Sequence, residues 1–213
     1  MAILGNASLW ADYFPDDLIP DILDMVLDVW SSFIKPNSND HEVHITKRFR
    51  ASLEQYKDLK MLPIRIDREV PVDNLNQAAE LGRIDLRLTH GYKSDVYFAF
   101  ECKRLNICSS KGKTSSLAKD YVVSGMIRFV GANPQYAREL TQGGMIGYVM
   151  NSNTKNAIKA VHQQVKNQAT SLQMKTNNGL KASSIKPTEQ LIKESVHHLP
   201  NHEFTIHHIF LPA

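Results

Sequence analysis

The sequence predicts an α/β (α+β) fold in which one mixed β-sheet is flanked by helices. Apolar residues recur with the roughly 3.6-residue period of amphipathic helices before residue 60 and again after residue 115. Between residues 64 and 102 the period changes to about two, which is typical of half-buried strands. The predicted order is α-β-β-β-α-β-α, followed by a C-terminal strand. A length of 213 residues and a hydrophobic content of 42% suit one domain with a substantial core.

Residues 1–39 are predicted to form an acidic amphipathic helix, Asp16–Ile34, followed by a linker. Aspartates occupy much of one side of this helix. The other side is apolar and consists of Leu18, Ile19, Ile22, Leu23, Val26, Val29, Trp30 and Phe33. We expect this side, with Trp10 and Phe14 nearby, to pack on the rest of the chain. A homodimer or partner-protein interface is the alternative.

Residues 40–213 form the predicted second unit, whose core covers residues 41–150. Asp40 can cap a helix over His41–Asp58. Three strands are predicted next, at Ile64–Val70, Arg83–Leu88 and Asp95–Cys102. A short turn around Gly91 suits an antiparallel hairpin between the last two strands.

The rest of the second unit continues the alternation of helix and strand. Its predicted elements are a polar loop at Asn106–Ser116, a helix at Ser116–Val130, a strand at Gly143–Met150, a helix at Asn153–Gln168, a mobile loop at 169–187 and a strand at Glu203–Leu211. The mobile loop is predicted from its richness in Lys, Asn and Ser.

Charge is unevenly distributed along the chain. The first 34 residues hold six Asp and no Lys or Arg; they carry −6 and the rest carries +9, within a formal net charge of +3. A basic body fits a polyanionic partner such as DNA or RNA. On charge alone, a solvated basic surface is the favoured interpretation, so the charge is informative only beside a catalytic motif. The two cysteines, Cys102 and Cys108, do not suggest a disulfide framework, and no apolar stretch has the length of a membrane span. We therefore expect a cytoplasmic protein without membrane association.

The third predicted strand holds a carboxylate beside an ammonium. Glu101 and Lys103 are two residues apart, so their side chains point to the same face. The opposite face is apolar and consists of Val96, Phe98, Phe100 and Cys102. If the hairpin forms, Asp85 on the preceding strand can face Glu101. A surface ion pair on a solvated strand face is the alternative interpretation.

Two carboxylates and an amine in this arrangement suit phosphodiester hydrolysis. Mg²⁺ or Mn²⁺ needs hard oxygen ligands, which Asp85 and Glu101 can supply, and the backbone carbonyl of Cys102 is a further candidate metal ligand. Such an ion lowers the pKa of a bound water and offsets charge on the phosphate. Lys103 can orient the attacking water or stabilise the transition state.

The segment Gly82-Arg83-Ile84-Asp85, the predicted hairpin, and the segment Phe100-Glu101-Cys102-Lys103-Arg104-Leu105 together resemble the PD-(D/E)xK (restriction-endonuclease-like) nuclease superfamily. The resemblance covers about residues 41–150 and implies an α-β-β-β-α-β core. It implies that Asp85 and Glu101 hold the metal and that Lys103 is catalytic, although Ile84 replaces the leading proline of the family. It also implies a DNA substrate in a restriction, antiviral defence or repair setting.

Many members of this superfamily also place a glutamate near the start of the first core helix. Glu42 stands at that place, so the resemblance implies that Glu42 is a metal ligand and a catalytic residue. Compensation of the helix dipole by the Glu42 carboxylate is an equally good interpretation.

Candidates for nucleic-acid binding flank the carboxylates or lie in the loop and helix that follow. They are Arg83, Arg87, Arg104, Lys111, Lys113, Lys119, Tyr121 and Arg128. Tyr121 and Arg128 are seven residues apart in the sequence, about two helical turns, so they are predicted to share a face. Ion pairs with nearby acids and helix–sheet packing are the alternatives for this group.

Other hypotheses remain open from the sequence. A zinc site among the late histidines is disfavoured, because adjacent histidines in a strand point to opposite faces; these are His197, His198, His202, His207 and His208. The second functional hypothesis is a nuclease-like fold without catalysis that serves as a binding or assembly subunit. A third is an RNA nuclease or RNA-binding module.

Overall fold

The structure, a computed structural model, describes residues 14–74, 79–91, 95–109, 111–131, 136 and 140–213. Within these residues the chain is a mixed α/β protein, as predicted, and no helix is long and apolar enough to cross a membrane. Trp10, which we expected beside the first helix, lies outside the described residues.

Seven strands form one mixed sheet. They are β1 (Arg65–Asn74), β2 (Ala79–Thr89), β3 (Tyr97–Leu105), β6 (Gln142–Val149), β7 (Lys181–Ala182), β8 (Ile192–His198) and β9 (Glu203–Pro212). Their order in the sheet is β1-β2-β3-β6-β9-β8-β7. The β3–β6 and β6–β9 pairs are parallel, and the other pairs are antiparallel. The loop predicted after β3 contains a separate hairpin of β4 (Ile107–Cys108) and β5 (Thr114–Ser115).

Two long helices, α1 (Ile19–Ser32) and α2 (Glu42–Lys60), pack on one face of the sheet. The apolar side of α1 is buried against α2 and the sheet, as expected. Trp30 fixes this packing, because its indole Nε1 donates a 2.7 Å hydrogen bond to the carbonyl oxygen of Pro212 on β9. The apolar side of α1 therefore belongs to the core, and a homodimer or partner contact through the N-terminal helix stays a prediction.

The opposite face of the sheet is covered by α5 (Thr154–Asn167) and by a helix of three parts. These parts are α3 (Ala118–Asp120), a π-helical turn (Tyr121–Met126) and α4 (Ile127–Val130). The helix predicted over residues 116–130 is present, but the wider π turn interrupts its period.

The periodicity of the sequence did not predict β7 and β8. Residues 169–187, predicted as a mobile loop, contain β7 and are anchored: Leu172 is fully buried, and the Gln173 amide donates a 2.6 Å hydrogen bond to the carbonyl oxygen of Val130. The segment is irregular, and buried residues such as Leu172 and Leu180 alternate with exposed ones. The β8 strand was not predicted, because several of its buried side chains are polar and the two-residue period of apolar residues is therefore absent.

The pairing of β2 with β3 creates an opening in the sheet. The antiparallel register runs from Thr89 opposite Tyr97 to Leu86 opposite Phe100 and stops there. Beyond Phe100, β3 continues beside β6 alone. The edge of β3 that β2 leaves is therefore available to side chains from other elements.

Candidate functional site

Two carboxylates occupy the edge of β3 that β2 no longer pairs. Leu86 is the last β2 residue in register with β3, and Asp85 is its neighbour in the chain. The Asp85 Oδ2 atom accepts a 2.7 Å hydrogen bond from the backbone N–H of Cys102. Glu42, in the first turn of α2, accepts a 2.8 Å hydrogen bond at Oε2 from the backbone N–H of Arg104. These carboxylates satisfy backbone donors that would otherwise remain unpaired.

The ammonium of Lys103 lies where three carboxylates converge. Its Nζ is 2.7 Å from Glu101 Oε1, 3.2 Å from Glu42 Oε1 and 3.9 Å from Asp85 Oδ2. It also donates a 2.9 Å hydrogen bond to the carbonyl oxygen of Cys102. The structure thus brings together Glu42, Asp85, Glu101, Cys102 and Lys103, and we call this group the carboxylate cluster.

Burial dominates the electrostatics of the carboxylate cluster. Burial and the neighbouring charge of Glu101 raise the pKa of Asp85 to about 7. Burial also raises the pKa of Glu101, against the opposite effect of Lys103 and Arg128. Burial lowers the pKa of Lys103, but the charges of the three carboxylates outweigh burial and hold that pKa above its ordinary value. Lys103 is therefore a firmly charged counter-ion.

Arg128 is the second cation at the cluster. Its Nη1 lies 2.8 Å from Glu101 Oε1 and 3.2 Å from the hydroxyl of Tyr136. The Tyr136 hydroxyl donates a 2.6 Å hydrogen bond to the carbonyl oxygen of Arg83, which ties Arg128 to β2. Tyr136 was not singled out in the sequence, because no periodic pattern around it indicates its position.

The oxygens of the cluster match a divalent cation in kind. Three carboxylates and the Cys102 carbonyl are hard ligands of the type that Mg²⁺ binds. Glu101 Oε2 is buried and has no hydrogen-bond partner among the described residues. In the described part of the chain, however, no three His, Cys, Asp or Glu side chains already have the spacing of a metal site. The carboxylates would therefore have to approach one another, and the Lys103 ammonium would have to leave their centre, before the cluster could hold a cation.

No protein-family model, curated protein or solved structure matches this chain. The carboxylate cluster and the sequence resemblance that its residues carry are therefore the observations that bear on its activity.

The arginine candidates for nucleic-acid binding are partly engaged within the protein. Arg87 Nη2 lies 3.3 Å from Asp67 Oδ2, and Arg104 Nη1 donates a 3.1 Å hydrogen bond to the carbonyl oxygen of Asp40. The lysine candidates differ, since all three side chains are exposed; they are Lys111, Lys113 and Lys119. The lysines are therefore better placed than Arg87 or Arg104 to meet a phosphate.

The prediction for Tyr121 is wrong. Its side chain is fully buried, and its hydroxyl forms a 3.0 Å hydrogen bond with His208 Nδ1, so it cannot contact a nucleic acid. The expected shared face with Arg128 assumed a regular α-helix. The π-helical turn from Tyr121 to Met126 has more residues per turn than an α-helix and so changes the rotation between the two residues. Tyr121 therefore faces the sheet, whereas Arg128 reaches Glu101.

The late histidines hold the sheet together. Ser195 Oγ forms hydrogen bonds with His197 Nε2 at 2.7 Å and with His208 Nε2 at 2.9 Å. His197 Nδ1 lies 2.7 Å from the carbonyl oxygen of Leu172. Ser195, His197 and His208 are all buried. The ring nitrogens of the two histidines are therefore engaged in hydrogen bonds inside the protein.

Proposed function

We propose that this chain is a Mg²⁺- or Mn²⁺-dependent nuclease of the PD-(D/E)xK type that hydrolyses phosphodiester bonds in DNA. The observation that carries the proposal is the convergence of Glu42, Asp85 and Glu101 on the Lys103 ammonium, at the point where β2 leaves β3. The mixed sheet with helices on both faces is compatible with that superfamily. A cytoplasmic role in restriction, antiviral defence or repair follows from the resemblance alone.

In this proposal Glu42, Asp85 and Glu101 hold the cation, with the Cys102 carbonyl as a further oxygen ligand. A divalent ion bound there would lower the pKa of a water and offset charge on the scissile phosphate. Lys103 is firmly charged, so it can donate hydrogen bonds to the attacking water or to a phosphate oxygen once the carboxylates are engaged elsewhere. The burial of the cluster strengthens each of these interactions.

Substrate binding is assigned to the basic residues around the opening. Arg128 is half-exposed and uses Nη1 for Glu101 and Tyr136, so its remaining N–H groups can reach a phosphate. The exposed Lys111, Lys113 and Lys119 would extend the contact along the backbone of the nucleic acid. A double-stranded, single-stranded or branched substrate is compatible with this set, and RNA is the alternative to DNA.

One observation favours a second candidate function. Lys103 already neutralises much of the carboxylate charge from the centre of the cluster, as a purely structural ion-pair network would. In that case the chain is a nuclease-like subunit that binds nucleic acid or a partner protein without cutting.

A nuclease assay separates the two candidates. The wild type is incubated with duplex, single-stranded and branched DNA, and with RNA, in Mg²⁺, in Mn²⁺ and in chelator. Asp85→Asn and Lys103→Met test the cluster, and both replacements nearly preserve side-chain volume. Asp58→Asn and Lys175→Met are matched controls, because both side chains are 71% exposed and lie away from the cluster.

We expect metal-dependent cutting by the wild type and by both controls, and a loss of about a hundredfold or more in each cluster variant. Binding without cutting by the wild type on every substrate would support the subunit. Cutting that survives both cluster variants would contradict the assignment of the site.

A further inference from the structure

A concave site lies at the far edge of the sheet, between α5 and the β7–β8 pair. It has a volume of about 490 Å³. The strand register gives its position relative to Glu101. Lys193 lies opposite His208, His208 lies opposite Met145, and Met145 lies opposite Glu101. Lys193 and Glu101 are therefore three strand spacings apart, or about 14 Å. This cavity is separate from the carboxylate cluster.

The walls of the cavity are strongly basic. Four lysines line it, and none of its described lining residues is acidic; the lysines are Lys155, Lys159, Lys181 and Lys193. The Lys181 ammonium pairs with the buried Glu194 at 3.0 Å, and Ser184 holds the other oxygen of Glu194 with two 2.7 Å hydrogen bonds. Among the described residues no carboxylate forms a salt bridge with the other three lysines. Their charge is available to an anion.

The same cavity also offers apolar and hydrogen-bonding surface. Ile158, Leu180 and Leu191 supply aliphatic side chains to its lining. His162 Nδ1 lies 3.2 Å from both backbone polar atoms of Leu180, which leaves Nε2 as the ring nitrogen able to meet a ligand. Gln190 adds an amide that can both donate and accept. A ligand for this site is therefore anionic at one part and flat or apolar at another.

We propose that this cavity binds a nucleoside phosphate, either as a free nucleotide or as part of a single-stranded nucleic acid. The volume lies within the range of about 300–1,000 Å³ that small-ligand sites occupy. Three lysines without an acidic partner match the multiple charge of phosphate groups, whereas aliphatic side chains and an amide match a base. The inference does not depend on the proposed nuclease activity, because no residue of the carboxylate cluster takes part.

Fluorescence anisotropy on the full chain tests this site with three probes. They are fluorescently labelled ADP, a short labelled oligothymidylate, and unlabelled pyrophosphate as a competitor. Lys155→Ala combined with Lys159→Ala removes two charges from the cavity. Lys47→Ala combined with Lys60→Ala removes the same charge from the exposed surface of α2 and serves as the control. Leu191→Ser tests the apolar wall, and thermal melting establishes that each variant is folded.

We expect saturable binding of labelled ADP or of the oligonucleotide, weakened about tenfold in the cavity variant and by less than about twofold in the control. Binding of ADP identifies a free nucleotide as a ligand, and binding of the oligonucleotide alone identifies a nucleic-acid strand. Leu191→Ser should weaken the binding of labelled ADP and leave the affinity for pyrophosphate unchanged. The proposal is overturned by the absence of saturable binding, by equal loss in the control, or by pyrophosphate binding as tightly as ADP.

Discussion

Lys103 is the residue on which the electrostatics of the carboxylate cluster depend. When Glu42, Asp85 and Glu101 are all ionised, Lys103 and Arg128 leave one negative charge uncompensated. Glu101 is fully buried and only 13% of the Lys103 side chain is exposed, so solvent screens these charges weakly. A divalent cation that binds the oxygens of the cluster would therefore have to displace the Lys103 ammonium from between the carboxylates.

Replacement of Lys103 by Met should destabilise the fold and sensitise it to cations. The carboxylates would stay buried without their main counter-ion, which typically costs about 3–5 kcal/mol in the free energy of unfolding. Mg²⁺ should then raise the melting temperature of Lys103→Met more than that of the wild type, because no ammonium competes for the oxygens. Urea denaturation and thermal melting with and without Mg²⁺ measure both effects.

Lys175→Met is the matched control for Lys103→Met. The Lys175 side chain is 71% exposed and pairs with Glu203 at 3.7 Å, away from the cluster. Its loss should cost less than about 1 kcal/mol and create no response to Mg²⁺. If Mg²⁺ stabilised neither Lys103→Met nor the wild type, the cluster would be an ion-pair network and not a cation site.

Local periodicity predicted part of the cluster and missed the rest. Glu101 and Lys103 share a face because a strand repeats every two residues, and the hairpin register brought Asp85 near them. The contact of Arg128 with Glu101 was not predictable, because a π turn changes the rotation of the helix without a clear signal in the residues. Tyr136 joins the site through a long-range contact, which no local pattern encodes.

At the scale of elements, a glycine on β6 allows the side chains of β3 to pack closely against the centre of the sheet. Gly144 of β6 lies opposite Phe100 of β3. A Cβ at Gly144 would be 2.2 Å from a ring carbon of Phe100, closer than any real contact, and Phe100 is itself buried beside Phe98. The register of β3 with β6 fixes the position of Glu101, so close packing at Gly144 also supports the functional edge.

Two glycine-to-alanine replacements should differ in their effect on stability. Gly144→Ala should lower the free energy of unfolding by about 2 kcal/mol, because the rigid Phe100 ring cannot move without disturbing the core. At Gly125 the new Cβ meets the terminal methyl of Met145 at 2.5 Å, and a flexible methionine can turn aside. Gly125→Ala should therefore cost less than about 1 kcal/mol, helped by the better helix propensity of alanine.

Urea denaturation of the two glycine variants beside the wild type gives this comparison. Equal losses would mean that Phe100 and Met145 yield alike, and that β6 tolerates a side chain at its centre. The opposite order would place the tighter packing under the π turn instead of between β3 and β6.

At the scale of the whole molecule, buried histidines connect the C-terminal strands to both helical layers. His208 links β9 to Tyr121 in the π turn, and His207 Nε2 donates a 2.7 Å hydrogen bond to the amide oxygen of Gln142 on β6. The nitrogen of the same Gln142 amide donates a 2.7 Å hydrogen bond to Asp16, just before α1. Hydropathy treats histidine as polar and assigns such residues to the surface. The sequence therefore predicted β9 but not the burial of its histidines.

Stability should fall on acidification because His207 is held neutral. Burial lowers its pKa from 6.5 to about 4. The unfolded chain takes up a proton as the pH falls below 6.5, whereas the folded chain resists until about pH 4. The stabilisation is thus complete above pH 6.5 and is lost towards pH 4, a difference of about 3 kcal/mol. Asp85 acts in the opposite sense, because its pKa is raised to about 7 and its protonation in acid favours the fold.

A comparison of the wild type with His207→Gln isolates the histidine from Asp85, which both proteins share. Glutamine keeps a donor for Gln142 and does not titrate, so the variant should lose less stability between neutral pH and about pH 4.5. We expect the difference in unfolding free energy between the two proteins to change by about 2 kcal/mol over that interval, measured by urea denaturation at each pH. Parallel pH profiles would mean that folded His207 takes up its proton as readily as the unfolded chain does. The buried connection between β9, β6 and α1 would then have to accommodate a charge.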